Sequence, residues 1–490
     1  MSGESTSAQR PPADLQRSPP AAAHARWTLA LASIGVFMVV LDGLVVVTAL
    51  PLIHHDVGGD VASLQWILSG YLLAFGAGII TAASLGDRYG RRNLFVLGLT
   101  IFSVSSAACA LSPDIVVLIL ARVVQGVGAA IVMPTSLSIL VASFPPQRRG
   151  AVLGIFGGVA GVAVAAGPVV GGGITQALTW HWIFWINVPI GIVAAALSMR
   201  LIPESHGDES RLDLGGAAIV TAASVALLWG LIRGGSLGWY APEVILSFAV
   251  GVVLLGALAI WERTAESPIL PARFFRNRTF LAANIVAFLS LGALISAALF
   301  MSQYFQYVLG YSPFDAGIRF LPWTATPLIV APLAGRLADR IGPRPLMIIG
   351  LLLQAVGLAA IIDLASPTIS YEALVPALIV AGVGISMVLP CVPLAAFSAV
   401  PRAEFGKASG IFNSMQRFGG AFVIAGATAA FTAEGSLRSA SQFVSGLRYA
   451  LAVSAILSVL GALISVAVTD RTEHRPASAD PIPEATAAAG

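Results

Sequence analysis

The chain has 490 residues, of which 57% are hydrophobic and only 10% charged, against about 25% charged in an average soluble domain. A soluble globule of that length cannot hide so much apolar surface, so lipid must cover part of it. The net charge of +3 gives no argument for a nucleic-acid partner, and two cysteines, Cys109 and Cys391, both inside apolar runs, argue against a disulfide framework. Lys407 is the only lysine among the 27 basic residues, which reads as the coding bias of a GC-rich bacterial genome and not as chemistry.

Residues 1–26 are polar and Pro-rich and predict a disordered tail without a signal-peptide pattern. Fourteen apolar runs follow, at 27–50, 64–85, 94–111, 115–141, 151–178, 182–201, 214–232, 242–261, 280–309, 316–337, 346–364, 374–400, 408–431 and 443–468. Each is near the ~20 residues that a bilayer requires. Residues 470–490 are again polar and predict a second disordered tail. This divides the chain into a first six-helix half at 27–202, a linker at 203–278 with two extra transmembrane helices, and a second six-helix half at 279–469. With the N-terminus in the cytoplasm, nearly all basic residues fall in inner segments. Only Arg233, Arg319, Arg438 and Arg448 fall in outer ones, and Arg122 and Arg417 lie inside helices. That asymmetry predicts cytoplasmic termini and an even number of helices.

The loop after the second run reads A-S-L-G-D-R-Y-G-R-R from Ala83 to Arg92, and a second copy, G-R-L-A-D-R-I-G-P-R, runs from Gly335 to Arg344. Gly126, Gly128 and Pro134 in the fourth run recur as Gly382, Gly384 and Pro390 in the twelfth. Gly150, Gly154 and Phe156 of the fifth recur as Gly406, Gly410 and Phe412 of the thirteenth. Three matched pairs in one order, all offset by about 250 residues, mark a duplicated membrane unit.

These motifs resemble those of the major facilitator superfamily, and the likeness covers nearly the whole chain. Two further motifs are similar to its fourteen-helix drug:proton antiporter branch, the Emr/Qac-type multidrug exporters. One is Leu41-Asp42-x-x-Val45-Val46-x-x-Ala49-Leu50-Pro51 in the first helix. The other is Gly167-Pro168-x-x-Gly171-Gly172 in the fifth, followed by Trp182-Ile183-Phe184-x-Ile186-Asn187-Val188-Pro189. Ala83 departs from the glycine usual at the start of the family's loop. The resemblance implies an all-α membrane protein with the major facilitator fold, fourteen transmembrane helices arranged 6+2+6 in two pseudo-symmetric halves. It implies a monomer in a bacterial plasma membrane. Its implied work is secondary active transport by alternating access: hydrophobic or amphipathic drugs and antibiotics leave in exchange for protons, with no cofactor and the proton gradient as the drive. Dedicated export of one endogenous metabolite or self-made antibiotic is the alternative.

Asp42 is the only acidic residue well inside a run, and an intramembrane carboxylate costs several kcal/mol unless neutralised or solvated. Counting about 1.5 Å per residue, Asp42 lies roughly 13 Å below the outer end of helix one, and Arg122 roughly 10 Å below that of helix four. The expectation is that Asp42 takes and releases the transported proton, tuned by Arg122 and Gln125; a buried ion pair that only holds two helices together is the plainer reading. By resemblance, Asp87, Arg88, Gly90 and Arg91, with Asp339 and Arg340 in the second copy, form a conformational latch. Arginines that merely keep the loop inside would look the same. Gly161, Gly167, Pro168, Gly171 and Gly172 make the fifth helix smooth and bendable, which the resemblance ties to antiport and physics alone to close packing. Trp66, Tyr71, Gln303, Tyr304, Gln306, Tyr307 and Trp323 are candidate walls of an apolar substrate cavity, although most such residues near helix ends are interfacial anchors. Arg417 is an interior charge without an obvious acidic partner, facing water or an anionic part of a substrate.

A membrane-embedded lipid enzyme needs paired carboxylates, a metal cluster, or a nucleophile with its base. The histidines, His24, His54, His55, His181, His206 and His474, bring no acid-rich cluster into a span, and no nucleotide-binding G-x-x-x-x-G-K-[ST] loop occurs. The sequence therefore predicts neither an enzyme nor a metal site.

Overall fold

The computed structural model describes residues 19–59, 61–144, 146–206, 213–265, 272–400 and 405–469. The expected tail at 470–490, and the part of the other at 1–18, lie outside the described residues. Within them the chain forms helices and no strand, as befits a lipid setting in which each segment must satisfy its own backbone groups. The helices are α1 (Pro19–Val57), α2 (Val61–Tyr89), α3 (Arg91–Ala110), α4 (Ile115–Ser143), α5 (Pro146–Ala177), α6 (Trp182–Trp185), α7 (Asn187–Leu201), α8 (Leu214–Leu237), α9 (Pro242–Thr264) and α10 (Ala272–Arg276). There follow α11 (Arg278–Gln303), which runs on into a π turn at Tyr304–Val308, then α12 (Pro313–Arg319), α13 (Leu321–Thr324), α14 (Thr326–Ile341), α15 (Pro343–Leu364), α16 (Tyr371–Ser398), α17 (Phe405–Glu434) and α18 (Ala440–Ser465). α1 starts ahead of the expected residue 27 because Ala21, Ala22 and Ala23, strong helix formers, extend it.

Among the described residues 11 helical stretches are long and apolar enough to cross a membrane, and Ser63–Ile79 with Thr81–Tyr89, counted as one bent span, brings the number to 12. The two remaining expected crossings appear in other forms. The tenth is broken into α12, α13 and α14, where Pro322 and Pro327 lack the N–H groups that would continue the ladder. The thirteenth, α17, is one helix of 30 residues diluted by Asn413, Gln416 and Arg417. The sixth is likewise split into α6 and α7, because Pro189 has no N–H for the carbonyl of Trp185.

Within the first half α1 packs on α5, and α4 on both α2 and α3; within the second, α11 packs on α17 and α18, and α16 on α14 and α15. The repeated glycines show why the pattern is duplicated. A Cβ on Gly126 would meet Ala74 and Phe75 of α2, and one on Gly382 the Trp323 carbonyl of α13. A Cβ on Gly128 would meet the Phe102 main chain of α3, and one on Gly384 the Gly350 carbonyl of α15. Each half thus lets its central helix approach two neighbours at backbone distance.

The halves meet along two seams, α2 with α17 and α5 with α12–α14. The extra pair, α8 and α9, forms a hairpin in which Ser247 Oγ donates to the Ala226 carbonyl at 2.8 Å. α8 lies along the first seam, touching both α2 and α17.

The seams are shut on the face where α1 ends, the outer face in the orientation expected from the basic residues. There His54 Nδ1 lies 3.2 Å from Tyr307 Oη, Gln306 Nε2 donates to the Thr48 carbonyl at 3.0 Å, and the Phe314 N–H donates to Gln176 Oε1 at 3.2 Å. Gly172 abuts the Pro313 carbonyl, and Gly317 the Pro168 carbonyl. Deeper, Ser414 Oγ of α17 donates to the Gly76 carbonyl of α2 at 2.7 Å. Towards the other face α5 is bare: Ile155, Gly157 and Gly158 are exposed. The seams are thus shut on the face where α1 ends, and α5 is uncovered towards the opposite face.

Candidate functional site

Asp42 sits in α1, whose apolar residues bury all but 2% of it. Three side chains from two other helices converge on its carboxylate. Arg122 Nη1 donates to Oδ2; Gln125 Nε2, one turn further along α4, donates to Oδ1 at 3.0 Å; and Asn187 Nδ2 of α7 donates to the same Oδ1 at 3.0 Å. The donors are themselves fixed. Arg122 Nη1 also donates to Gln125 Oε1 at 2.8 Å and its Nε to the Ile67 carbonyl at 3.3 Å. Asn187 Nδ2 also reaches Ser106 Oγ at 3.2 Å, and Ser106 Oγ donates to the Phe184 carbonyl at 2.8 Å. The Arg122 guanidinium lies 4.1 Å over the Tyr71 ring, whose hydroxyl donates to the Val39 carbonyl at 3.2 Å. Such a shell gives both oxygens of a carboxylate deep in an apolar body a donor, and sets an opposite charge against Oδ2.

The structure therefore brings Asp42, Arg122 and Gln125 together, as expected, and adds Asn187 and Ser106. Asn187 stands inside the motif noted above, but an amide in an apolar run carries no charge to single it out. Tyr71, expected at a cavity wall, lies beneath Arg122. Trp66, also expected at a cavity wall, meets Trp229 of α8 with ring centroids 6.0 Å apart.

The loop residues pair within the first half. Arg91 Nε donates to Asp87 Oδ1 at 2.8 Å. The residue that faces the positive start of α3 is Glu204, beyond α7, which accepts from the Arg92 and Asn93 main-chain N–H groups at 2.9 and 3.2 Å and meets Arg92 Nε at 3.6 Å. Gly90 has φ 102° and packs against that carboxylate, where a Cβ would come within 2.7 Å of its carbon. Arg88 is exposed over the ring of Tyr89. Asp339 and Arg340 in the second copy take no ion-pair partner among the described residues.

Gly167 packs on the Leu44 side chain, Gly171 on Thr48 and Val45, and Gly172 on Pro313, so the α5 glycines serve the α1 contact and the seam with α12. Gly161 borders open space. A cavity of about 40 Å³ lies between the halves, walled by Leu44, Thr48, Pro168, Ile295, Ser302 and Phe320 among others. Of the expected cavity residues, Gln303 and Trp323 are buried, Tyr304 Oη donates to the Ser366 carbonyl at 2.6 Å, and Gln306 bridges the halves. Aliphatic residues, which the sequence did not distinguish from lipid-facing ones, make most of the wall.

The sequence profile described as Major Facilitator Superfamily matches residues 32–424 and 285–489. The chain is 34% identical over 358 residues to the tetracenomycin C resistance and export protein of Streptomyces glaucescens, covering 72% of this chain and 66% of that protein. It is 34% identical over 465 residues to the puromycin resistance protein of Streptomyces alboniger, covering 91% and 92%. A crystal structure of the peptide transporter POT in complex with sulfate superposes with a TM-score of 0.64 at 15% identity, over 90% of this chain and 95% of that one. The chain belongs to the major facilitator superfamily, on the branch that holds these resistance and export proteins.

Proposed function

We propose that the protein exports hydrophobic or amphipathic drugs or antibiotics across a bacterial plasma membrane in exchange for protons, as a monomer with both termini in the cytoplasm. The observation that carries this reading is the Asp42 cluster: one carboxylate, screened from water, set against an arginine that its protonation would release. In the outward-open state Asp42 takes a proton from outside. The seams then close on the outer face, the proton leaves to the cytoplasm, Arg122 returns to Oδ2, and substrate enters from the inner side. The halves at 27–202 and 279–469 rock about the seams. The loop with Asp87, Arg88, Gly90 and Arg91 acts as the latch, its second copy with Asp339 and Arg340 opposite, and the α5 stretch from Gly161 through Gly167, Pro168 and Gly171 to Gly172 keeps outer closure tight. Relatives named for a single antibiotic favour a narrower reading, export of one such compound. The test is a resistance panel in cells that lack their own exporters, followed by dye or drug uptake into inside-out vesicles. Uptake that an uncoupler does not touch sinks proton exchange; protection against one compound alone selects the narrow exporter.

A further inference from the structure

Two arginines lie inside the helical body, and only one of them has a carboxylate. Arg122 is matched by Asp42. Arg417 forms no ion pair among the described residues; its guanidinium lies 4.4 Å over the Phe75 ring of α2, and its buried Nε has no hydrogen-bond partner. It stands twelve residues into α17, about 18 Å from that helix's inner end, which is near mid-membrane. A cation at that depth costs several kcal/mol unless negative charge or water reaches it.

Its surroundings put it on the path between the halves and not on the lipid side. Phe75 comes nine residues after Trp66, two and a half turns, so it occupies the face of α2 opposite the ring that meets α8. That same face carries Tyr71 under Arg122. Along α17, Phe418 to Ala421 are buried, whereas Asn413, Met415, Gln416 and Arg417 are partly exposed. Burial along α17 thus gives way to partial exposure at this turn. Gln416 lines a small recess there with Ser290, Ile385 and Val388. Helix packing does not demand a cation at the position: the repeat that matches Gly154 with Gly410 matches Arg417 with Gly161, around which there is open space.

We propose that Arg417 is the docking point for an anionic group, a carboxylate or an acidic phenol or enol, on the amphipathic compounds that the protein exports. The inference rests on the export reading and adds to it a preference for acids over their neutral analogues. The guanidinium fork offers Nε and Nη donors to such a group in parallel, while the apolar body of the compound lies against Phe75 and the aliphatic wall. Asp42 and Arg122 then handle the proton, and Arg417 handles the cargo's charge.

The test uses two probes with one aromatic body, 1-pyrenebutyrate and its N-methylamide, and uptake into inside-out vesicles energised by a pH gradient. In the wild-type protein both accumulate. Arg417→Gln lowers uptake of the carboxylate at least about tenfold, the loss of one charge-assisted hydrogen-bonded contact, and lowers that of the amide less than about twofold by the same reasoning, since the amide leaves no charge unmet. Arg417→Lys restores part of the carboxylate uptake, because it keeps the charge without the fork. Equal loss of both probes overturns the proposal in favour of a purely structural seat on Phe75, and so does unchanged uptake of the carboxylate. Proton-driven uptake of the amide by the wild-type protein keeps the export reading standing whichever way the carboxylate goes. Uptake of neither probe counts against export itself and takes this inference with it.

Discussion

Asp42→Asn preserves the size of the side chain and removes its charge. At present its two oxygens accept from Arg122, Gln125 and Asn187. An amide has one oxygen, so its NH2 group must point either at Arg122 or at the two amide donors, and one donor-to-donor contact is unavoidable. Arg122 keeps Gln125 Oε1 at 2.8 Å, the Ile67 carbonyl at 3.3 Å and the Tyr71 ring at 4.1 Å. Breaking a buried pair costs about 3–5 kcal/mol, and the ring, amide and carbonyl contacts that Arg122 retains still offset part of its charge, so the expected loss is at the low end, about 3 kcal/mol. The variant should insert and fold, unfold at a lower temperature in detergent, and fail to concentrate substrate when purified into liposomes with a pH gradient. Downhill exchange of substrate for substrate should persist, since nothing in the seams has changed. Uphill, gradient-driven transport at the wild-type rate would refute the reasoning, and so would loss of exchange in a well-folded sample.

Asn187→Leu takes one donor from Asp42 Oδ1 and one neighbour from Ser106; it should cost about 1.5–3 kcal/mol in thermal unfolding and alter the pH profile of transport, and an unchanged profile would remove Asn187 from the site. Glu204→Ala deprives the start of α3 of its cap and Arg92 of its counter-charge, an expected loss of about 1–2 kcal/mol; equal thermal stability of variant and parent would show that the cap is idle. His54→Cys with Tyr307→Cys, at side chains whose tips meet across the seam at the α1 end, should stop transport when joined by a flexible, reducible bifunctional thiol reagent and release it on reduction; transport by the cross-linked protein contradicts opening on that face. Burial holds the His181 imidazole below the ordinary histidine range, while the nearby Asp56 carboxylate pulls the other way. With the folded value depressed, the His181 contribution to stability is present above the unfolded value and lost as pH falls through the folded one. Asp56→Asn should move the His181 titration lower still by NMR, and a move upward would reverse the assignment of cause.

How much of this was legible beforehand depended on whether a residue announces itself by charge. Asp42, Arg122 and Gln125 stand out in apolar runs and need no fold to be noticed. Asn187 and Ser106 do not, because their role arises only when α7 packs on α1 and α3. Glu204 is 112 residues away from Arg92, and nothing local links them. Tyr71 reads as a cavity residue from sequence, since the rotation of α2, not its composition, decides which way the ring faces. The spans were countable from apolarity alone, while Pro189, Pro322 and Pro327 broke helices that apolarity had treated as continuous. The place of α8 and α9 was hidden for a different reason: a wholly apolar helix shows lipid and protein the same face, so its partners leave no periodic mark.

A body made of two matched halves would be expected to rock evenly about its centre, and the α8–α9 hairpin ends that equality. α8 rests on α2 from one half and on α17 from the other. Whichever half it travels with when the outer face parts, it must slide over its partner, so one flank is strapped and shears. The opposite flank, α5 against α12–α14, carries no such strap among the described residues. If the halves rock as proposed, the strap should put the pivot off centre, and the bare flank, α5 against α12–α14, should part the wider of the two.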